Sequence, residues 1–484
     1  MSDGHTRRAM LGTAGGALAA FALRPKAYAS APENGAVITR LSEYMSEAGS
    51  RALPEEATEK TKQHILDTLA AMVSGASLPP GRVALRFAQA HGGERVATIA
   101  ASKLLCGPIE AAMVNGMLAH SDETDDSHAP SQSHPGCSVV PAALAAAEQF
   151  GIDGKRFVRA VALGYDVGPR VGMTLGGLPW QMESHHSTHS IVGTFGASAA
   201  AGCAADLDAR QMRYLLDYAA QQAAGIAAWQ RDTEHIEKSL VFAGLPARNG
   251  VTAALLIQLG GTGVDDIFSG ADNFLMSFSP KADPAGLIEK LGERYEVTRT
   301  NIKKWTVGSP IQAPLDAIGN LRKRHPFEAA AVRRVDVRVA TSEAKTVNDR
   351  AMPDISLQHM VAVMLLDKTV TFRSAHDSAR MKDPALQREK AKVKLIPDEA
   401  LERLYPKRVT IVEVTLDDGT KLLERVDAVR GTAENPMTRQ EVLAKCRDLM
   451  APVLGAATAA KLIDKIMDLE STRDMRALRP LLQA

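Results

Sequence analysis

Gly196-Ala197-Ser198-Ala199-Ala200-Ala201-Gly202 is a run of seven residues without one bulky side chain. A helix built from it lets neighbouring backbones come unusually close, and a helix that thin belongs at the centre of a compact α-bundle. Outward from it, 36–285 is rich in Ala, Gly and Leu, with apolar residues at helical spacing such as Ile65, Leu66, Leu69, Met72 and Val73. A second stripe occupies 139–150, with Ser138 as its expected N-cap and Pro141 in the first turn.

From 286 to 435 the texture changes and charge rises. Strands are predicted at 335–339 and 409–414, the latter running through the hairpin signal Asp417-Asp418-Gly419 into 421–426. Helices over about 311–324 and 356–367 complete an α+β module, and the charged stretch 373–407 reads as surface loops and short helices. Helical periodicity returns after Asn435-Pro436. The expected fold is mainly α. A large all-helical domain is formed by N- and C-terminal parts, 30–285 and 436–484, with a smaller α+β domain, 286–435, inserted between them.

A formal net charge of +1 over 484 residues gives no electrostatic reason to expect nucleic acid or an acidic membrane surface as partner. No run approaches the roughly 18 uninterrupted apolar residues of a membrane span. Residues 1–29 differ from the rest: Arg7-Arg8, a small weakly apolar stretch, Arg24-Pro25-Lys26 and Ala27-Tyr28-Ala29 read as a twin-arginine export signal. The expected address is the periplasm, with no membrane association after cleavage. Cys106, Cys137, Cys203 and Cys446 form no C-x-x-C pair, so buried single thiols are expected instead of a zinc or iron–sulfur site.

Seven of the thirteen histidines fall between 120 and 235. The densest stretch is His120-Ser121-Asp122-Glu123-Thr124-Asp125-Asp126-Ser127-His128, followed by His134-Pro135-Gly136. An elimination beside a carboxylate needs a base for a carbon-bound proton, an acid for the leaving group and cations for the remaining charge. This segment offers the first two, and a helix starting after His134-Pro135-Gly136 would present free N–H groups to a substrate carboxylate. The bland alternative is a solvated acidic loop. His185-His186-Ser187-Thr188-His189 could add another acid or base, or a metal-binding pair at 185 and 189, although histidines satisfying local polar groups fit equally. Lys238 and Arg248 are candidate carboxylate clamps, against a surface Glu234–Lys238 pair and a structural turn; Lys303-Lys304 is a weaker signal.

In order and spacing these segments resemble the MmgE/PrpD family, whose pattern contains N-G-x-x-x-H-x-x-D-F-D-D-T and then H-P. Asn115-Gly116 with His120, Asp125-Asp126 and His134-Pro135 match it, as do His186 to Thr188, Gly193 to Ala197, Lys238, Asn249-Gly250 and Lys303. The resemblance implies a helical domain with an α+β lid, a site between them, homodimers, and no metal or organic cofactor. It implies a lyase or isomerase (dehydratase, decarboxylase or epimerase) acting on a small di- or tricarboxylate. Carried over by position, it makes His134 and His186 acid/base candidates beside Glu123 and Asp126, and Lys238 and Lys303 carboxylate binders. Ser127, Arg248 and His359 join the binding shell. Departures cluster there too: one extra residue precedes Gly193, which leaves His185, His186 and His189 all open as the histidine of that element, Phe242 stands where histidine is common, and His359 replaces a tyrosine. Two rival readings are a metal-dependent hydrolase using His185 and His189, and a periplasmic solute-binding protein on the same fold.

Overall fold

The computed structural model describes residues 35–484; the export-signal reading of 1–29 lies outside the described residues. The small-residue run forms the middle of helix Thr188–Ala204, every residue of which is buried. Its thinness is used directly. A Cβ on Gly168 of helix Gly154–Leu175 would lie 2.5 Å from the Val192 carbonyl oxygen, and one on Gly250 of helix Leu245–Gln258 would lie 2.5 Å from the Ala197 carbonyl carbon. Both neighbours therefore meet the central helix backbone to backbone, which only glycine permits at those points.

The described chain is mainly helical, with a two-stranded ribbon and one four-stranded sheet. Its apolar side chains form two cores. The first draws on residues between 38 and 302 and again between 437 and 482, helix Arg439–Leu454 packing on helix Glu55–Gly75. The predicted stripe at Ile65, Leu66, Leu69, Met72 and Val73 is wholly buried in it. The continuous helical run Ile236–Gln258 is long and apolar enough to cross a bilayer by composition, yet 61% of its most apolar window is buried. Its Leu245–Gln258 part packs against helices Pro108–Ala119 and Thr188–Ala204.

The second core spans residues 305 to 429. Its sheet runs in the order Val393–Asp398, Val332–Ala340, Thr410–Leu416, Lys421–Val426, the first pair parallel and the others antiparallel. Helices Ser309–Arg324 and Leu357–Asp367 pack together, the former also lying against the two hairpin strands. The hairpin turns at Gly419 with φ +89°, a left-handed conformation that suits glycine.

Two local expectations need correction. Strand Val393–Asp398 lies within the stretch read as loops; Lys394 and Pro397 interrupt its apolar alternation, and both are tolerated because it is an edge strand. Helix Gly136–Phe150 begins earlier than predicted, and the Ser138 hydroxyl donates to the Pro135 carbonyl at 3.2 Å instead of capping. All four cysteines are buried and free.

Candidate active site

The acidic stretch after helix Pro108–Ala119 is not a solvated loop: Asp122, Glu123, Asp125 and Asp126 are all buried, Asp125 and Asp126 completely. Buried carboxylates require partners, and the four are partnered in four different directions. Asp122 folds a turn, its Oδ1 accepting from the Thr124 N–H at 2.9 Å and its Oδ2 from the Thr124 hydroxyl at 2.6 Å. Glu123 pairs with Lys238 on one oxygen and lies 3.4 Å from Lys303 Nζ on the other, and Lys303 also donates to the Glu123 carbonyl at 2.9 Å. Asp125 faces His120 Nδ1 at 2.9 Å and His134 Nδ1 at 3.2 Å. Asp126 turns the opposite way, meeting His64 Nδ1 at 2.7 Å, the Tyr165 hydroxyl at 2.5 Å and the Gly136 N–H at 3.0 Å.

Asp126 is thus corrected from a catalytic candidate to an anchor of the helix start. It also occupies the Gly136 N–H, which is therefore not free to receive a substrate carboxylate. The carboxylate facing His134 is Asp125. These two neighbouring loop side chains turn to opposite sides, so the Asp125-Asp126 pair carried no signal as to which faces which.

Lys238 and His235 arrive on a tight loop gathered by Asp232, whose oxygens accept from the N–H groups of Glu234, His235 and Lys238 at 2.9, 3.1 and 2.9 Å. A π-helical turn, Leu240–Gly244, follows, and π turns often re-aim side chains at functional sites. It inserts Phe242, whose ring stacks on His120 with centroids 4.7 Å apart and on His189 at 3.9 Å. His134 lies 5.2 Å from both His120 and His189, and His120 lies 5.0 Å from His235. Three imidazoles, His120, His134 and His189, therefore surround Phe242, and His235 packs on His120.

His189, not His186, completes this group. His186 is half-buried, stacked 5.7 Å from the Trp180 ring and 5.3 Å from Phe278. Helix Thr188–Ala204 starts just before His189 and carries its ring inward against Phe242. His185 is exposed, so the 185/189 pair is not a shared metal site. Arg248 is exposed and donates to the Asn249 side chain at 3.1 Å, away from the cluster. His359 is sealed inside the second core, and burial, then Lys390 and Arg380, push its pKa down to about 4.

Burial also lowers the pKa of His134, with Lys303 and His120 adding to the effect and Asp125 opposing it. Burial, helped by neighbouring cations, holds His189 and His235 well below the usual histidine range. Burial alone would raise Glu123 and Asp125, but Lys238 and Lys303 beside the former, and His120 and His134 beside the latter, hold both well below their ordinary values. At neutral pH His134, His189 and His235 are therefore neutral imidazoles, and Glu123 and Asp125 ionised carboxylates. The Asp125 carboxylate orders His134 as the Nδ1–H tautomer, leaving Nε2 as a free base.

His134 opens onto a cavity of about 350 Å³ between the two cores. Ser127, His189 and Lys303 share its near wall; Gln312, Arg408 and Arg430 come from the second core's side. Glu123 and Lys238 do not line it. That volume suits a small organic acid. Two triplets, His120/Asp125/His134 and His120/Glu123/His235, hold ligand-type atoms close enough for a metal ion. Their carboxylates are already neutralised by Lys238 and Lys303, the latter also 3.8 Å from Asp125, which opposes a dication.

A two-core chain with a cavity between the cores that is lined in part by Lys303, Arg408 and Arg430, and with a histidine-rich, lysine-paired acidic loop, defines a class, and comparison identifies it. Residues 39–286 match the MmgE/PrpD N-terminal domain and residues 305–470 the MmgE/PrpD C-terminal domain. The chain belongs to the MmgE/PrpD family. Among curated relatives it is 27% identical to human cis-aconitate decarboxylase, over 89% of this chain and 91% of that one. It is 23% identical to the cis-aconitate decarboxylase-like protein oryM of Aspergillus oryzae, over 94% and 98%. It is likewise 23% identical to cis-aconitate decarboxylase of Aspergillus terreus, over 92% and 96%.

Proposed function

We propose that this protein is a cofactor-independent lyase acting on a small tricarboxylate, and that its reaction is the decarboxylation of cis-aconitate or a close analogue. One observation carries the reading: a neutral imidazole, His134, oriented by a buried carboxylate, opens onto a cavity whose walls carry Lys303, Arg408 and Arg430. The named activities of relatives spanning nearly the whole chain support the substrate class.

Loss of CO2 leaves its bonding pair on the substrate, delocalised through the adjacent double bond, and a proton must reach carbon to complete the exchange. A trianion entering this buried site favours protonation of His134. His134 then delivers that proton, so one proton is consumed for each CO2 released. Lys303 and the arginines hold the carboxylates that stay. His189 is the second acid/base candidate, in place of His186. Lys238 acts through Glu123.

A second reading rests on the same neutral Nε2: it can remove a proton from carbon beside a carboxylate, which is dehydratase or epimerase chemistry. The α+β module acts as lid over the cleft, and the protein works as a homodimer after export to the periplasm. Exposed Met182, Ile226, Leu256 and Leu259 on the helical half supply apolar surface for such a contact.

Purified, metal-stripped protein incubated with cis-aconitate is expected to release CO2 and form an unsaturated C5 dicarboxylate. Tight binding without turnover of any tricarboxylate would favour the solute-binding alternative. Turnover only after zinc or manganese is restored would favour metal-assisted chemistry.

A further inference from the structure

The acidic loop is held from four distant points of the chain. Lys238 and Lys303 take Glu123, and Lys445 of helix Arg439–Leu454 donates to the Thr124 carbonyl at 3.0 Å. The fourth hold falls on Asp122 and comes from His376. We propose that His376 is a positioning residue for the site: its ring clamps Asp122, fixing the 122–124 turn that sets Glu123 against Lys303. The kinetic part of this inference rests on the carboxylate-binding role given to Lys303 above.

His376 Nε2 lies 3.0 Å from Asp122 Oδ2, an ion-pair contact whose N–H is not aligned for a hydrogen bond, while Nδ1 meets the Phe372 carbonyl at 2.8 Å. With Nδ1–H donated to a carbonyl, a second proton on Nε2 is what gives the ring the positive charge of that ion pair. The charged groups around the ring are Asp122 and Asp354, with Glu123 and Lys238 beyond Asp354. Burial lowers the pKa of His376, but Asp122 and Asp354 outweigh it and raise it to about 9. The short helix carrying it, Phe372–Ala375, is fastened to the first core: Phe372 packs there, and its N–H donates to Asp448 at 3.1 Å. His376 thus sits where the stretch between the second core's helices and sheet reaches the acidic loop. Asp122 in turn has both oxygens committed to Thr124, so moving it moves the Glu123 peptide whose carbonyl Lys303 holds.

Two measurements test this. In the full chain labelled at histidine, the His376 resonance, assigned by its loss in His376→Gln, is expected to report an imidazolium at pH 7.5 and to titrate lower in Asp122→Asn. With cis-aconitate, His376→Ala is expected to raise KM by about fivefold or more with kcat little changed, and His376→Gln to recover part of the loss. A neutral His376 ring indifferent to Asp122→Asn would overturn the clamp. An unchanged KM in folded His376→Ala would overturn the positioning role. If the wild type turns over no tricarboxylate, the proposed function fails, whereas the resonance still decides whether His376 clamps Asp122.

Discussion

His134→Gln is expected to lower kcat by about 10²–10⁴, the usual contribution of a positioned acid or base, while leaving the protein folded. Glutamine keeps a donor for Asp125 and nearly the same volume but cannot carry a proton to carbon. His134 is only part-buried, and its single side-chain bond, to Asp125 at 3.2 Å, is not the sole bond of that carboxylate, because His120 holds the other oxygen at 2.9 Å. Circular dichroism and the thermal midpoint should therefore stay near wild type. His186→Gln, changing a ring stacked on Trp180 outside the cavity, should leave kcat within a few-fold. Steady-state rates of CO2 release check both, and the opposite ranking would return the role to His186.

Lys303→Met is expected to damage stability and binding together. It deprives buried Glu123 of a charge partner and the Glu123 carbonyl of its donor. Removing one member of a buried ion pair costs about 3–5 kcal/mol; the low end is expected because Lys238 remains on Glu123. The pH dependence has a definite sign. Glu123 has a folded pKa below its ordinary 4.5, so its contribution is fully present above that pH and lost as pH falls through the folded value. Lys303→Met should therefore lose stability in neutral buffer and narrow its difference from wild type in acid. Urea denaturation at two pH values measures it. Arg248→Met, at an exposed position, should change stability by less than about 0.5 kcal/mol.

Much of the scaffold was legible from residue size and period. The run of small residues marks a central helix because its neighbours must approach within backbone contact, and the Asp-Gly hairpin is written in a turn that needs positive φ. Strand Val393–Asp398 was not, because an edge strand need not alternate cleanly.

Within the site, His134, Glu123, Lys238 and Lys303 could be named from their segments, and the structure brings them to one neighbourhood. The choice between His186 and His189 turned on where a helix starts, and that between Asp125 and Asp126 on which of two adjacent loop side chains turns toward His134. A shift of a few positions in a helix start, or of one in the loop, reverses either assignment. Arg408 and His376 had no local signal, since each reaches the site from the second part of the chain, more than 230 residues after the acidic loop.

The central claim is that neutral imidazole and lysine charge meet a polycarboxylate in one cleft, and titration calorimetry with an unreactive saturated tricarboxylate tests it most directly. Repeating the binding near pH 7.5 in buffers of different ionisation enthalpy counts protons exchanged. With His134 below its ordinary 6.5 in the free protein and raised by the bound trianion, uptake approaching about one proton per site is predicted, and none in His134→Gln. Binding without proton uptake, or uptake that survives His134→Gln, would contradict the account.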